Sequence, residues 1–170
     1  MNLGIDAGVV SVLVAFLTAT NVAHAVLVTP PGPGGAPMAF SASSKATVSK
    51  SGIPIECDTT FTGTIDGTGK VKITSTSFGN STLCKLVKGS ASVSEPWTGQ
   101  VDSPTQLTID NATVEVSAPF IGGRCGPSKI IGTIHEADGA TTIALDDVTL
   151  SGGCAVKGSL TTSPYLHVTH

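Results

Sequence analysis

The feature that most constrains this chain is a cysteine frame that occurs twice in one order. Cys57, Cys84, Val87-Lys88-Gly89-Ser90 and Pro96-Trp97 recur as Cys125, Cys154, Val156-Lys157-Gly158-Ser159 and Pro164-Tyr165. Between the cysteines, Gly63-Thr64-Ile65 with Asp66-Gly67 finds a partner in Gly132-Thr133-Ile134 with Asp138-Gly139. Upstream, Ala46-Thr47-Val48 matches Ala112-Thr113-Val114. An ordered series at nearly constant offset predicts two copies of one unit, at about 40–101 and 107–168. Two copies do not make a solenoid array, so the expectation is one domain with pseudo-twofold halves.

Within each copy the apolar residues alternate with polar ones. Ala46, Val48 and Lys50 alternate with Thr47 and Ser49; Val71 and Ile73 with Lys70, Lys72 and Thr74. Ala112, Val114, Val116 and Ala118 alternate with Thr113, Glu115 and Ser117. Period-two patterning bounded by Gly, Pro, Asn and Asp is the mark of half-buried antiparallel strands. In both copies the parity flips before the second cysteine: Val71 and Ile73 give way to Phe78, and Ile143 and Leu145 to Val148 and Leu150. A flip of this kind predicts a bulge or bend. The fold expected is all-β: a single-domain antiparallel β-sandwich or partly closed barrel of about eight strands, in two Greek-key-like halves. Asp66-Gly67 and Asp138-Gly139 are expected to make tight hairpin turns.

Residues 1–25 read as a secretory signal, with an apolar stretch from Val9 to Leu17 and an A-x-A site at Ala23-His24-Ala25. The apolar stretch is too short to span a bilayer, so no transmembrane segment is expected. The implied location is extracellular, or periplasmic in a cell with two membranes. Residues 26–39 follow as a flexible segment, because the prolines of TPPGPGGAPM lack donors and its glycines are too free. On that tether Val26, Leu27 and Val28 form a candidate donor strand for a neighbour's sheet edge. Residues 40–170 are the domain. With 9 basic and 12 acidic side chains and only 12% of residues charged, no basic patch is available for nucleic acid or an anionic membrane.

Four cysteines allow three pairings. The repeat favours Cys57–Cys84 with Cys125–Cys154, while Cys57–Cys154 with Cys84–Cys125 also respects the symmetry. Isolated cysteines without a nearby histidine pair do not make a zinc site. His135-Glu136 begins like HExxH, but position 139 is Gly and the setting is a turn. His167 and His170 fall at an end read as frayed and solvated. Asp146-Asp147 sits at the parity flip, without the regularly spaced oxygens of a calcium loop. Asn80-Ser81-Thr82 and Asn111-Ala112-Thr113 fit the glycosylation pattern, which a Thr-rich chain meets by chance. No serine comes with a base and an orienting acid. The expectation is therefore a non-enzyme with no metal and no cofactor. Trp97 and Tyr165, alone of their kinds and both after proline, are read as plugs of the two half-cores or as paired aromatic contacts for a ligand.

Phe40-Ser-Ala-Ser, Ala46-Thr-Val-Ser-Lys50, Phe61-Thr-Gly-Thr-Ile65, Trp97-Thr-Gly-Gln-Val101, Cys125-Gly-Pro-Ser128 and Leu150-Ser-Gly-Gly-Cys154 together resemble the alkane-oxidation activator proteins. The resemblance runs from about Phe40 to Val168, and the cysteine frame is its most specific part. It implies a small secreted bacterial protein that helps cells use or disperse hydrocarbon. It supplies a role without catalytic residues to carry over. The implied partner is a hydrocarbon or biosurfactant interface, with self-association as a matrix or adhesin-like subunit as the rival reading.

Overall fold

The computed structural model describes residues 25–170, so the expected signal lies outside the described residues except for Ala25. Eleven strands follow in order: β1 (Leu27–Thr29), β2 (Met38–Lys50), β3 (Ile53–Ile65), β4 (Lys70–Gly79), β5 (Val87–Gly89), β6 (Trp97–Ser103), β7 (Gln106–Val116), β8 (Gly123–Ala137), β9 (Ala140–Leu150), β10 (Cys154–Ser163) and β11 (His167–Thr169). One short 3-10 turn, Cys84–Leu86, precedes β5. Each long strand pairs antiparallel with its neighbours in sequence, and β10 pairs back onto β2, from Cys154↔Lys50 to Ser163↔Ser41. The result is an eight-stranded barrel, β2-β3-β4-β6-β7-β8-β9-β10, with β5 added alongside the end of β7.

The path is an up-and-down meander and not the expected Greek key. Its connections are too short for any long crossover. Ser51-Gly52 joins β2 to β3 and Asp138-Gly139 joins β8 to β9, all four residues at positive φ (50°, 80°, 52° and 74°). Two such residues make the type I′ turn that suits the twist of adjacent strands. Asp66-Gly67 departs from this pattern. The positive-φ residue there is Gly69, and the Asp66 carboxylate accepts bonds from Thr68 N–H (2.9 Å), Thr68 Oγ1 (2.7 Å) and Lys70 N–H (3.1 Å). The turn is accordingly four residues long.

Both parity flips are bulges. On β4 the pairing jumps from Thr62↔Ser75 to Gly63↔Ile73, leaving Thr74 over. On β9 it jumps from Val156↔Val148 to Gly158↔Leu145, leaving Asp146-Asp147 over, with Asp147 at φ 47°. Inward positions are mostly apolar on the long strands, and Phe40, Val48, Val71, Ile109, Ile134, Leu145 and Leu160 are buried, with Lys50, Thr59, Thr141 and Thr162 as the polar exceptions. Outward positions such as Ser41, Ser43, Lys45, Glu56, Asp58 and Thr64 are polar. A barrel that spans a bilayer carries its apolar band on the outside; this one carries it inside. No helix among the described residues is long and apolar enough to cross a membrane.

The two disulfides are Cys57–Cys84 and Cys125–Cys154, each within its own half. They lie at the barrel end that holds the β2–β3 turn, because Cys57 is near the start of β3, Cys125 near the start of β8 and Cys154 at the start of β10. Loops of 27 and 29 residues closed in this way stabilise by about 3.5 kcal/mol each in the chain-entropy treatment. At this stapled end Lys50 is turned inward and buried, its ammonium donating to the Gly152 carbonyl and lying 3.4 Å from Cys125 Sγ.

The opposite end is capped by β1 and β11, which pair as Leu27↔Thr169, Val28↔Val168 and Thr29↔His167. The Pro/Gly-rich stretch is irregular, as its composition predicts, but it is seated on the barrel instead of trailing free. Val28 is fully buried and its N–H donates to Gly67 O (3.0 Å). Only glycine fits at position 67, since a Cβ there would strike the Gly32 carbonyl. The carboxyl end is held as well. Thr141 is buried, and its hydroxyl donates to Leu166 O (2.6 Å) while accepting from Leu166 N–H (2.9 Å). Glu136 accepts from Val168 N–H (2.7 Å) and Tyr165 OH (2.8 Å) and bonds His167 Nδ1 (2.8 Å). The histidine expected at a frayed end thus sits on a cap, its ring stacked on Tyr165 at 6.4 Å.

Two outcomes follow for the cap. Thr141→Val keeps the shape but leaves both polar groups of Leu166 unpaired, so unfolding free energy should fall by about 1–3 kcal/mol, read from denaturant melts; no change would contradict the clamp. Burial pushes the Glu136 carboxyl up, but the bonds from His167, Val168 N–H and Tyr165 outweigh it and hold it below the ordinary 4.5. A depressed carboxylate stabilises fully above its unfolded value and loses that contribution as pH falls through the folded one. Amide exchange at Val168 should therefore lose protection below the ordinary glutamate range, and Glu136→Gln should abolish that acid dependence. Equal protection at pH 3 and pH 7 in the unaltered chain would count against it.

Candidate functional site

Two regions combine apolar surface with definite geometry: the barrel lumen and the stapled end. Inward side chains of all eight barrel positions enclose a cavity of about 70 Å³. Its wall is apolar except for Thr59, whose hydroxyl donates to Cys57 O (3.2 Å). Trp97 belongs to this wall. The residue is buried, and its Nε1–H donates to Ser90 Oγ (3.1 Å). Phe61 packs against it at 6.0 Å and meets Phe78 edge-on at 6.2 Å. Phe61 and Phe78 are only half-buried, so these two rings of the lumen wall also reach solvent.

Tyr165 occupies a different environment. It lies in the segment between β10 and β11, is 39% exposed, and rests on Glu136 outside the lumen. Its phenol is pushed above the ordinary value by the hydrogen bond to the Glu136 carboxylate. Trp97 and Tyr165 are therefore not brought together as a pair of contacts. The divergence comes from the fourth strand of each half: β10 runs unbroken from Cys154 to Ser163, whereas its counterpart is cut into β5 and β6 by residues 90–96. Both VKG segments nonetheless fall on strands beside the first strand of the other half, β5 on β7 and β10 on β2. Leu27 and Val28 pair with β11 of the same chain and Val26 packs against the core beside them, so donation to another copy would require them to leave that seat.

The stapled end is the region that residue-by-residue reading missed. Four connections meet there: 51–52, 80–86, 117–122 and 151–153. Lys85 is the one charged residue in these connections. Their tips and flanks expose Ile53 (48%), Leu83 (54%) and Phe120 (107%), with Ile121 partly exposed beside them. Phe120 holds φ 68°, a conformation uncommon for a bulky residue, and that backbone turns its ring fully outward. The capped end has the opposite character, carrying Asp66, Asp102, Glu136 and Asp138. The signal for this asymmetry was present as SGIP, NSTLCKL, SAPFIG and SGG, four uncharged or nearly uncharged turns. It became legible once the meander placed all four on one side.

Among the described residues no group of three or more His, Cys, Asp or Glu side chains converges to hold a metal ion. Among the described residues the three lysine–carboxylate pairs, Lys45–Glu56, Lys129–Asp110 and Lys157–Asp147, are exposed and of little energetic weight.

Neither a curated protein nor a solved structure matches the chain. Residues 5–170 match the family described as alkane oxidation protein activator, PraA/PraB-like. That span covers nearly the whole sequence, including both disulfides, the lumen and the four connections of the stapled end. The chain belongs to the alkane oxidation protein activator family.

Proposed function

We propose that this is a secreted, non-enzymatic protein that promotes alkane use by adsorbing through its stapled end to the surface of hydrocarbon. The observation that carries the reading is the axial asymmetry of the barrel. Ile53, Leu83 and Phe120 protrude at an end whose four connections hold only Lys85 as a charge, while the turns and flanks of the other end carry Asp66, Asp102, Glu136 and Asp138. A charged group loses solvation on entering oil, and an apolar one gains by leaving water. The molecule therefore has a preferred way to stand at the boundary. The disulfides at the base of these connections tie them to the barrel wall. Export is supported by the apolar leader and by disulfides, which persist in oxidising compartments. The same reading takes the two halves as copies of one unit, supported by the matching places of the disulfides and of the VKG strands.

The test is pendant-drop tensiometry at a hexadecane–water interface. Each tip that leaves water contributes about 1.5–3 kcal/mol. Replacing both Leu83 and Phe120 by Ser should raise the bulk concentration needed for a given drop in tension at least tenfold. The fold should be untouched, since exposed substitutions of this kind change stability by about 0.5 kcal/mol or less. Equal surface activity of the double variant and the unaltered chain would remove the stapled end from the account.

A further inference from the structure

We infer that the barrel lumen is a binding site for a linear aliphatic chain, entered through the seam between β4 and β5. The inference rests on the reading that hydrocarbon is what this protein meets, and adds a site inside the barrel. The seam is a local failure of the strand ladder. Strand β4 pairs with β6 only over Lys70–Ile73, and beyond Ile73 no strand pairs with that edge. Its remaining half, Thr74–Gly79, faces β5, whose ladder goes to β7 instead. The two strands touch through Gly89 and Thr76, where a Cβ on Gly89 would strike the threonine side chain. They are held by packing and, at the stapled end of the seam, by the Cys57–Cys84 disulfide to β3, with no strand pairing between them. In the second half the equivalent seam, β9 with β10, is paired from Leu150 to Thr142. The first half alone is built so that its wall can part at this seam without breaking a ladder.

The lumen behind this seam selects for chemistry. Phe61 and Phe78 stand at its mouth, half-buried, and Trp97 backs them. No cation lines the wall, and the hydroxyl of Thr59 is already donated to Cys57 O. A carboxylate or headgroup brought inside would lose its hydration without a partner, which costs far more than an alkyl chain gains. The ligand class is therefore a linear aliphatic chain with at least one end free of polar groups. At about 70 Å³ the resting cavity is roughly half the ~150 Å³ of a dry engineered cavity that takes benzene. It accepts a chain end of a few carbons, and a longer chain extends out past Phe61 and Phe78.

Trp97 is the only tryptophan of the chain and lines the cavity, so it reports occupancy. The experiment titrates the whole protein with hexane dissolved below saturation, where no oil phase exists. Expected are a saturable change in Trp97 emission and nuclear Overhauser contacts from hexane to the Ile73 and Ile130 methyls, with no response to adipate, which carries a carboxylate at both chain ends. Ala46→Leu fills the lumen and should abolish both signals at unchanged thermal midpoint; if it fails to fold, Ala42→Leu serves in its place. A non-saturable response, or equal binding by the filled variant, overturns the inference. The filled variant should still lower interfacial tension, and the Leu83/Phe120 double variant should still bind hexane. Tension lowering without hexane binding defeats the lumen site alone, and hexane binding without tension lowering defeats the adsorption reading alone.

Discussion

The ladder between β10 and β2 turns a sheet with two full-length edges into a barrel whose wall is unpaired only along the Thr74–Gly79 half of β4, and the rest of the structure depends on it. An open sheet of eight such strands would expose two rows of unpaired donors and acceptors, a ready template for other chains. Closure also decides where the apolar residues go. Once the strands wrap, every inward position faces every other, and Val48, Ile109, Leu145 and Leu160 share one interior although they come from both halves.

Closure creates ends, and the chain finishes the two ends differently. At one, β1 and β11 lie across the opening, fastened by the Thr141 hydroxyl and the Glu136 carboxylate. At the other, disulfides take the place of a plug and leave the connections free to project Ile53, Leu83 and Phe120. The proposed function uses this division of labour, with a polar wall and an acidic capped end in water and an apolar tip toward oil. The seam at β5 adds a lateral feature that the second half lacks.

Much of the fold was legible in the residues because its signals are local. Alternation predicted the strands, and the flips at Phe78 and at Val148 predicted the bulges now seen at Thr74 and Asp146-Asp147. The cysteine order favoured the pairing found. What could not be read depended on distant partners. A composition of prolines and glycines describes how free residues 29–38 would be alone, but not that Gly67 leaves a niche for the chain at Gly32. His167 looked solvated because Glu136 lies far away in sequence. The barrel and sandwich alternatives share one strand pattern and differ only in whether the last strand meets the first. Trp97 and Tyr165 occupy matching sequence positions, yet residues 90–96 break one strand and not the other, so their surroundings differ. The apolar end escaped notice because its residues are scattered over four turns that only the meander assembles.

The central claim is that the barrel meets hydrocarbon end-on. Neutron reflectivity from the deuterated protein adsorbed at a hexadecane–water interface measures this directly. The account predicts a layer with its long dimension along the interface normal, the Phe120 end immersed in oil and the Asp66/Asp138 end in water. A layer one barrel-width thick, with the polar wall lying flat against the oil or the capped end inserted, would contradict it.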